Sequence, residues 1–230
     1  MGRIGVLGGS KEYSGAPYFA GITALYCGAD IVHVFSAASA AQSIKCYSPE
    51  LIVHPTLDND VEKPTKWLER LHGLVIGPGL GMSENIPNTV EVPNKPMVID
   101  ADGIYIVAKH KDLISGYRKV IITPNVNEFS RLYKTILSED PSDDKHETAR
   151  LAKALGNVTI VRKGPTDIIS DGDMRKYFPS ICLHTLTASK QAHQVLTNRL
   201  SFRFFSYLQP LWACKLPVKS FGSSFCFKGP

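Results

Sequence analysis

The last 52 residues of the chain, 179–230, contain no aspartate or glutamate. All 21 acidic residues therefore lie in residues 1–178 beside 20 of the 26 basic residues, which gives this part a net charge of −1 and the remainder +6. About a quarter of the residues in an ordinary globular domain are charged, so a segment of this length is expected to hold roughly six acids. The composition predicts one domain over residues 1–178 and a basic tail over 179–230 that is not a domain.

Long apolar runs and paired cysteines are also missing. No stretch of eighteen apolar residues occurs, so no transmembrane segment is predicted. The five cysteines form no CxxC pair and no zinc-like spacing, which indicates free thiols and no metal site. Met1 runs directly into a strand-like segment without a targeting lead, so a cytoplasmic location is expected; a longer form with such a lead would be compatible with mitochondria.

Short apolar runs alternate with amphipathic stretches over residues 1–178. Strands are predicted at Arg3–Leu7, Ile31–Phe35, Leu51–Val53, Leu74–Ile76, Met97–Ile99, Val120–Ile122 and Val158–Val161. Helices are predicted at Ala16–Gly28, Ala37–Ile44, Thr65–Leu71, Gly103–Lys109, Asn127–Leu137 and Asp144–Leu155. Short strands separated by helices indicate an α/β fold with a mostly parallel sheet. Such sheets bind ligands at the carboxyl ends of their strands, so the loops after the strands are the candidate sites.

Two of these loops carry glycines or carboxylates. The first is Gly77-Pro-Gly-Leu-Gly81, whose glycines bring the backbone close to a neighbour and free amides for an anion, although a tight turn is equally compatible. In the second loop, Asp100 and Asp102 follow the strand Met97–Ile99 and could face a ligand hydroxyl or a metal. Asp102 is expected to cap the next helix, whereas a site role and a structural role are equally compatible with Asp100.

Two further loops are densely polar. In 123–131, Pro124 ends a strand, Asn125 or Asn127 can cap a helix, and Glu128 suits the first turn of that helix. Capping alone would explain these residues, but they also make a polar lining. The loop Arg162-Lys-Gly-Pro-Thr-Asp167 combines cations with a glycine at a strand end before a hairpin, which suits a phosphate or a solvated turn.

Six motifs follow one another over residues 2–178. They are Gly8-Gly-Ser-Lys-Glu-Tyr-Ser-Gly-Ala-Pro-Tyr-Phe-Ala20, Gly28-Ala-Asp-Ile-Val-His-Val-Phe35, Gly77-Pro-Gly-Leu-Gly81, Val98-Ile-Asp-Ala-Asp-Gly103, Thr123-Pro-Asn125 with Glu128-Phe-Ser-Arg-Leu132, and Arg162-Lys-Gly164 with Asp167. In this order they resemble the NAD(P)H-hydrate dehydratase family. The segments Tyr13–Ala20 and Glu128–Tyr133 resemble the sequences of the family's eukaryotic, ATP-dependent branch.

The resemblance implies a ribokinase-like three-layer α/β/α fold and a repair reaction. In that reaction ATP with Mg²⁺ phosphorylates the hydroxyl of hydrated NADH or NADPH, which makes the hydroxyl a leaving group and restores NADH or NADPH. The positions that match the family's substrate-binding residues are Gly79, Asn125, Val126, Asn127, Glu128, Phe129, Ser130 and Arg131. The positions that match its ATP-binding residues are Lys163, Gly164, Pro165, Thr166 and Asp167. Secondary candidates are Asp100, Gly77 and Gly81, and no metal ligand is assigned.

One family segment has no counterpart here. The family's ATP site is completed downstream by Gly-Ser-x-Arg-Arg-Cys-Gly-Gly-Gln-Gly-Asp, whose glycine amides form an anion hole and whose Asp acts as a base. Nothing after Phe178 resembles it, and the single Gly-Asp dipeptide, Gly172-Asp173, comes too early. Because phosphoryl transfer depends on positioned charge, we expect an incomplete fold without a catalytic residue and with impaired activity. The connection from Gly81 to Pro96, with Pro87 and Pro93, also leaves little room for a crossover helix.

The tail and the activity each have competing interpretations. The tail resembles an alternative-exon or out-of-frame ending, or else a basic module that grips RNA or an acidic membrane. The aromatic residues of the tail follow no sustained period, so nucleic acid is not an expected partner. The expected partners are small-molecule nucleotides. Two other functions stay open. One is a non-catalytic binding or regulatory isoform. The other is a small-molecule kinase of the same superfold, which the dehydratase-like sequence of residues 125–131 argues against. The sequence leaves the oligomeric state and the NADH or NADPH preference undetermined.

Overall fold

The computed structural model describes residues 2–58, 65–81, 95–142, 144 and 146–179. Its strands are β1 Arg3–Leu7, β2 Ile31–Ser36, β3 Leu51–Pro55, β4 Gly73–Ile76, β5 Met97–Ile99, β6 Val120–Ile122, β7 Thr159–Arg162, β8 Thr166–Ser170 and β9 Arg175–Pro179. Its α-helices are α1 Gly15–Tyr26, α2 Ala38–Tyr47, α3 Thr65–Leu68, α4 Asp102–Lys109, α5 Val126–Leu137 and α6 Glu147–Ala154. A 3₁₀ turn covers Lys111–Leu113.

The nine strands of the described residues form one sheet in the order β3-β2-β1-β4-β5-β6-β7-β8-β9. Neighbouring strands from β3 to β7 are parallel, whereas β8 and β9 are added antiparallel as a hairpin. In the parallel register, Val6 of β1 lies opposite Val34 of β2 and Val75 of β4. The mostly parallel sheet and the hairpin after residue 167 are therefore confirmed.

Apolar side chains pack on both faces of the sheet. Successive residues of a strand point to opposite faces, so Val6 and Leu7 of β1 belong to different clusters. One cluster joins Val6 to α2 residues Ala40, Ala41 and Ile44. The other joins Leu7 to residues of α4, α5 and α6, among them Ile104, Val107, Phe129, Leu132, Tyr133 and Leu151. Helices on both faces make the three-layer α/β/α architecture that the sequence predicted.

The predicted element boundaries differ from the observed ones mainly at helix ends. Helix α3 ends at Leu68 rather than Leu71, because the chain turns there and the Arg70 amide bonds to the Trp67 carbonyl at 3.0 Å. Helix α2 continues past Ile44 to Tyr47. Among the helices of the described ranges, none is long and apolar enough to cross a membrane. The predictions for the connection through Pro87 and Pro93 and for the tail after Pro179 fall outside the described residues.

Two histidines on adjacent strands join an aromatic cluster at the β2–β3 edge. His33 Nδ1 and His54 Nε2 are 2.9 Å apart, and their rings stack with centroids separated by 5.2 Å. The Trp67 ring lies 5.2 Å from His33 and 4.9 Å from His54. Burial lowers the pKa of both imidazoles; the positive charge of Arg3 lowers the pKa of His33 further, and those of His33 and Lys45 lower that of His54. Protonation is therefore disfavoured in the folded state.

We expect the free energy of unfolding to fall as the pH drops below about 6.5, the ordinary pKa of histidine. The unfolded chain takes up protons at His33 and His54 before the folded chain does, which costs at most about 1.4 kcal/mol per pH unit for each histidine. The free energy of unfolding stops falling once the pH is below the lowered pKa values of the two histidines in the folded state. Urea unfolding between about pH 7.5 and pH 5.5 measures the slope.

The double variant His33→Gln/His54→Gln should show a smaller slope than the wild type. His72, whose pKa burial also lowers, is present in both proteins and leaves a residual slope. Equal slopes in the wild type and the double variant would contradict the assignment.

Candidate functional site

The carboxyl ends of five neighbouring strands meet at one edge of the sheet. The order β1-β4-β5-β6-β7 places the loops that follow these strands side by side. Backbone hydrogen bonds link the loops in sequence: Gly77 N donates to Leu7 O, Asp100 N to Ile76 O, Thr123 N to Ile99 O, and Lys163 N to Pro124 O. The structure therefore brings together the four loops that the sequence singled out.

The glycine-rich loop after β4 is packed tightly against its neighbours. Gly77 has a φ of +120°, and a Cβ at this position would lie 1.8 Å from the carbonyl oxygen of Asp100. Gly79 has a φ of +60°, and its carbonyl accepts a hydrogen bond of 3.0 Å from the Gly9 amide. Both positions need glycine, because their positive φ angles disfavour other residues and because a Cβ would overlap neighbouring atoms. The loop is therefore rigid, and it lies between the turn after β1 and the turn after β5.

Asp102 has a different role from the predicted helix cap. The N-cap of α4 is Ala101, and Asp102 is the first residue inside the helix. Its Oδ2 accepts a hydrogen bond of 2.9 Å from the Gly81 amide, so the carboxylate ties the glycine-rich loop to α4. The capping prediction was wrong because Ala101 adopts φ 47° and ψ −121°, which shifts the helix start by one residue.

Asn125 and Glu128 form a capping box at the start of α5. Asn125 Oδ1 accepts from the Glu128 amide at 2.9 Å, and Glu128 Oε2 accepts from the Asn125 amide at 2.8 Å. This confirms the prediction that Asn125 or Asn127 caps the helix, with Asn125 as the cap. The capped N-terminus of this 12-residue helix carries the positive end of its dipole, which favours an anion.

The other predicted residues of α5 divide between the surface and the core. Val126, Asn127 and Arg131 are exposed, whereas Phe129 is fully buried. Ser130 Oγ donates to the Val126 carbonyl at 3.1 Å, a bond within the helix. The side chains that a ligand could reach are therefore those of Val126, Asn127 and Arg131.

Phe129 connects α5 to the end of β7. The guanidinium carbon of Arg162 lies 4.4 Å from the centroid of the Phe129 ring, within the range of a cation–π contact. The Tyr133 ring also packs against Phe129, at a centroid distance of 5.7 Å. Phe129 thus positions the loop after β7 through packing.

Lys163, Asp100 and Thr123 form a polar cluster at the ends of β7, β5 and β6. Lys163 Nζ donates to Asp100 Oδ1 at 2.8 Å, and Thr123 Oγ1 donates to the same oxygen at 2.9 Å. The side chains of Lys163 and Asp100 are 40% and 35% exposed, so the pair borders solvent where a ligand can approach. The exposed cation suits a phosphate group.

The remaining predicted ATP residues lie in the turn between β7 and β8 and in the first two residues of β8. Pro165 and Thr166 are exposed, and Asp167 is buried within β8. Asp167 Oδ1 accepts from the Gly164 amide at 3.2 Å, which holds the turn closed. The described residues contain no group of three or more His, Cys, Asp or Glu side chains suited to a metal.

Sequence reasoning missed two contributors to this edge of the sheet. Thr123 donates a hydrogen bond to Asp100. The sequence feature that could have identified Thr123 is its position directly after the strand β6. Ser10, in the turn after β1, has a buried hydroxyl without a hydrogen-bond partner among the described residues, and it lies beside Gly81. The sequence feature that could have identified Ser10 is likewise its position after the end of a strand.

Comparison with protein-family models matches residues 4–177 to NAD(P)H-hydrate dehydratase. Among curated proteins, the human ATP-dependent (S)-NAD(P)H-hydrate dehydratase is 56% identical over 182 residues, which cover 74% of this chain and 52% of the human protein. The mouse protein of the same name is 54% identical over 182 residues, covering 74% of this chain and 53% of its own length. The chain thus spans about half the length of the curated relatives it matches.

Two solved structures share the fold. A ribokinase-like superfamily protein from Enterococcus faecalis matches with a TM-score of 0.63 at 22% identity and covers 77% of this chain and 62% of its own. The ADP/ATP-dependent NAD(P)H-hydrate dehydratase of Bacillus subtilis, co-crystallised with ATP and Mg²⁺, matches with a TM-score of 0.59 at 19% identity, covering 96% and 84%. The expected ribokinase-like fold is therefore confirmed.

Replacing Gly77 by alanine should destabilise the protein by about 3 kcal/mol or more, since the new Cβ adds backbone strain and overlaps the Asp100 carbonyl. Gly28→Ala is the matched control, because Gly28 also has a positive φ, of +96°, but a Cβ there meets no atom within 4 Å. The control should lose about 1–2 kcal/mol from conformation alone. Urea unfolding of both variants measures the difference, and equal losses would show that close packing at Gly77 is unimportant.

Proposed function

Because the chain belongs to the NAD(P)H-hydrate dehydratase family, we propose that it binds hydrated NADH or NADPH together with ATP, for the ATP-dependent regeneration of NADH or NADPH. The supporting observation is the meeting of the Gly77–Gly81 loop, the capped N-terminus of α5 and Lys163 at adjacent strand ends. The α5 N-terminus and Lys163 are suited to a phosphate-bearing ligand, by helix dipole and by charge. The amides of Gly77, Leu80 and Gly81 donate to groups of the protein itself, so the glycine-rich loop contributes its shape.

The hydrated dinucleotide is assigned to Gly79 and to Asn125 through Arg131. The exposed Val126 side chain gives a small apolar contact surface, and the exposed Arg131 provides a guanidinium that can bind a phosphate. ATP is assigned to Lys163, Gly164, Pro165, Thr166 and Asp167, with Lys163 as the phosphate-binding cation. Mg²⁺ would enter with ATP, since proteins hold it through one or two carboxylates and the phosphates of the substrate.

The reaction we propose for the family site has two chemical steps. The ring hydroxyl of the hydrated nicotinamide attacks the terminal phosphorus of ATP, loses its proton to water, and gives a phosphate ester and ADP. Phosphate then leaves with the electron pair of the C–O bond, a proton is lost from the neighbouring carbon, and the ring double bond returns. The chain's contribution is to place the hydroxyl in line with ATP and to neutralise phosphate charge with Lys163 and the N-terminus of α5.

We propose that this 230-residue chain binds these ligands with little turnover of its own, as a binding or regulatory isoform would. Residues 180–230 contain no Gly-Gly-Gln-Gly-Asp sequence, which the resemblance makes the source of the anion hole and the base. Loss of one oxyanion-stabilising donor alone costs about a hundredfold to a thousandfold in rate. Small-molecule nucleotides are the partners that this proposal requires.

The first prediction of this proposal concerns binding. Calorimetric titration should show that the chain binds hydrated NADH more tightly than ATP, because Gly79 and Asn125 to Arg131 match the whole set of dinucleotide positions, whereas Lys163 to Asp167 match only part of the ATP site. Arg131→Ala should weaken dinucleotide binding by about tenfold through the lost charged hydrogen bond. Lys134→Ala, which removes an exposed cation one turn along α5, is the control and should leave binding unchanged. Tight ATP binding without dinucleotide binding would contradict the proposal.

The second prediction concerns turnover. With hydrated NADH, ATP and Mg²⁺, the purified chain should regenerate NADH about a hundredfold or more slowly than the full-length mouse relative under the same conditions. The recovery of NADH absorbance measures the rate. Rates similar to those of the relative would show that residues within this chain replace the missing segment.

A further inference from the structure

Asp100 lies where it can control the position of Lys163. The Lys163 backbone is already fixed, because its amide donates to the Pro124 carbonyl at 2.8 Å. Its ammonium group is held by the hydrogen bond of 2.8 Å from Nζ to Asp100 Oδ1. The contact to Asp100 therefore decides where the ammonium group lies when no phosphate is bound.

Asp100 itself is held from two sides. Thr123 Oγ1 donates to Asp100 Oδ1 at 2.9 Å and lies 3.3 Å from the Ile99 carbonyl, so the hydroxyl bridges β5 and β6. The Asp100 carbonyl accepts from the Gly103 amide at 3.0 Å and is packed against Gly77. A carboxylate fixed in this way gives the ammonium a defined partner.

The backbone after Asp100 is strained. Ala101 adopts φ 47° and ψ −121°, a conformation that a residue with a Cβ rarely takes. Such strain persists where the surrounding structure holds it, and it is frequent at functional sites. Here it turns the chain from β5 into α4 while it keeps Asp100 beside Lys163 and Thr123.

We propose that Asp100 is a positioning residue that holds the Lys163 ammonium over the ends of β5 and β6, ready for a phosphate of ATP. This inference rests on the proposed ATP site at 163–167. One proton of the ammonium is used by Asp100, and the other two remain for phosphate oxygens. Ordering Lys163 before ATP binds removes an entropic cost that the nucleotide would otherwise have to meet.

The test is a double-mutant cycle in which Mg²⁺-ATP affinity is measured by calorimetry at physiological salt. Asp100→Asn should weaken ATP binding by about three- to tenfold in the wild-type background, which is the cost of ordering one long side chain. In the Lys163→Gln background the same substitution should have no further effect, because Asp100 acts through Lys163. Thr123→Val, which keeps the ion pair and removes the hydroxyl, should give a smaller loss and serves as the second variant.

Asp140→Asn is the matched control. Asp140 pairs with Lys134 at 3.0 Å on the surface, where the side chains are 65% and 76% exposed, and its loss should leave ATP affinity unchanged. Equal or tighter binding by Asp100→Asn would overturn the inference, and so would an equal loss in the Lys163→Gln background. A wild-type chain that fails to bind ATP would contradict the proposed function as well, which distinguishes the two failures.

A second readout does not depend on ATP. An ordered lysine ammonium exchanges its protons slowly enough to give a one-bond hydrogen–nitrogen correlation by NMR, so Lys163 should show such a signal in the wild type and in Asp140→Asn. The signal should disappear in Asp100→Asn. Its absence from the wild type, or its persistence in Asp100→Asn, would overturn the positioning role.

Discussion

The close approach of the backbone at Gly77 to the backbone at Asp100 is the constraint on which the site depends. There is room for a hydrogen atom but not for a Cβ between the two, since the added carbon would lie 1.8 Å from the Asp100 carbonyl oxygen. This contact places the glycine-rich loop against the start of α4, and the bond from Gly81 N to Asp102 Oδ2 secures it. This contact helps to position Asp100, whose carboxylate accepts hydrogen bonds from the side chains of Thr123 and Lys163.

Much of the fold could be predicted from local sequence patterns. The seven parallel strands are short apolar runs, and the capping box of Asn125 and Glu128 is a local signal that spans three residues. The N-cap of α4 was not predictable in the same way, because the strained Ala101 lies between Asp100 and Gly103, whose backbones pack against Gly77 from a distant part of the sequence. Local preferences therefore located the elements, whereas packing decided the helix start nearest the site.

The parts of the site that could not be predicted are contacts between residues far apart in sequence. Lys163 and Asp100 are separated by 63 positions, and Thr123 reaches Asp100 across 23 positions. The pair of His33 and His54 joins two strands in the same way across 21 positions. Strand order brings such residues together, and a linear pattern contains no information on which neighbours will meet. The resemblance to the dehydratase family identified the loops, but the structure was needed to show how the loops contact one another.

The central claim is that the loops after β4, β6 and β7 form one binding site for a hydrated nicotinamide dinucleotide and ATP. The most direct measurement is NMR mapping of backbone amides during titration of the chain with hydrated NADH and then with ATP. Hydrated NADH should shift the amides of Gly77–Gly81 and Asn125–Arg131, ATP should shift those of Lys163–Asp167, and the turn Asp171–Met174 between β8 and β9 should not change. Shifts confined to other parts of the chain, or no shifts with either ligand, would contradict the claim.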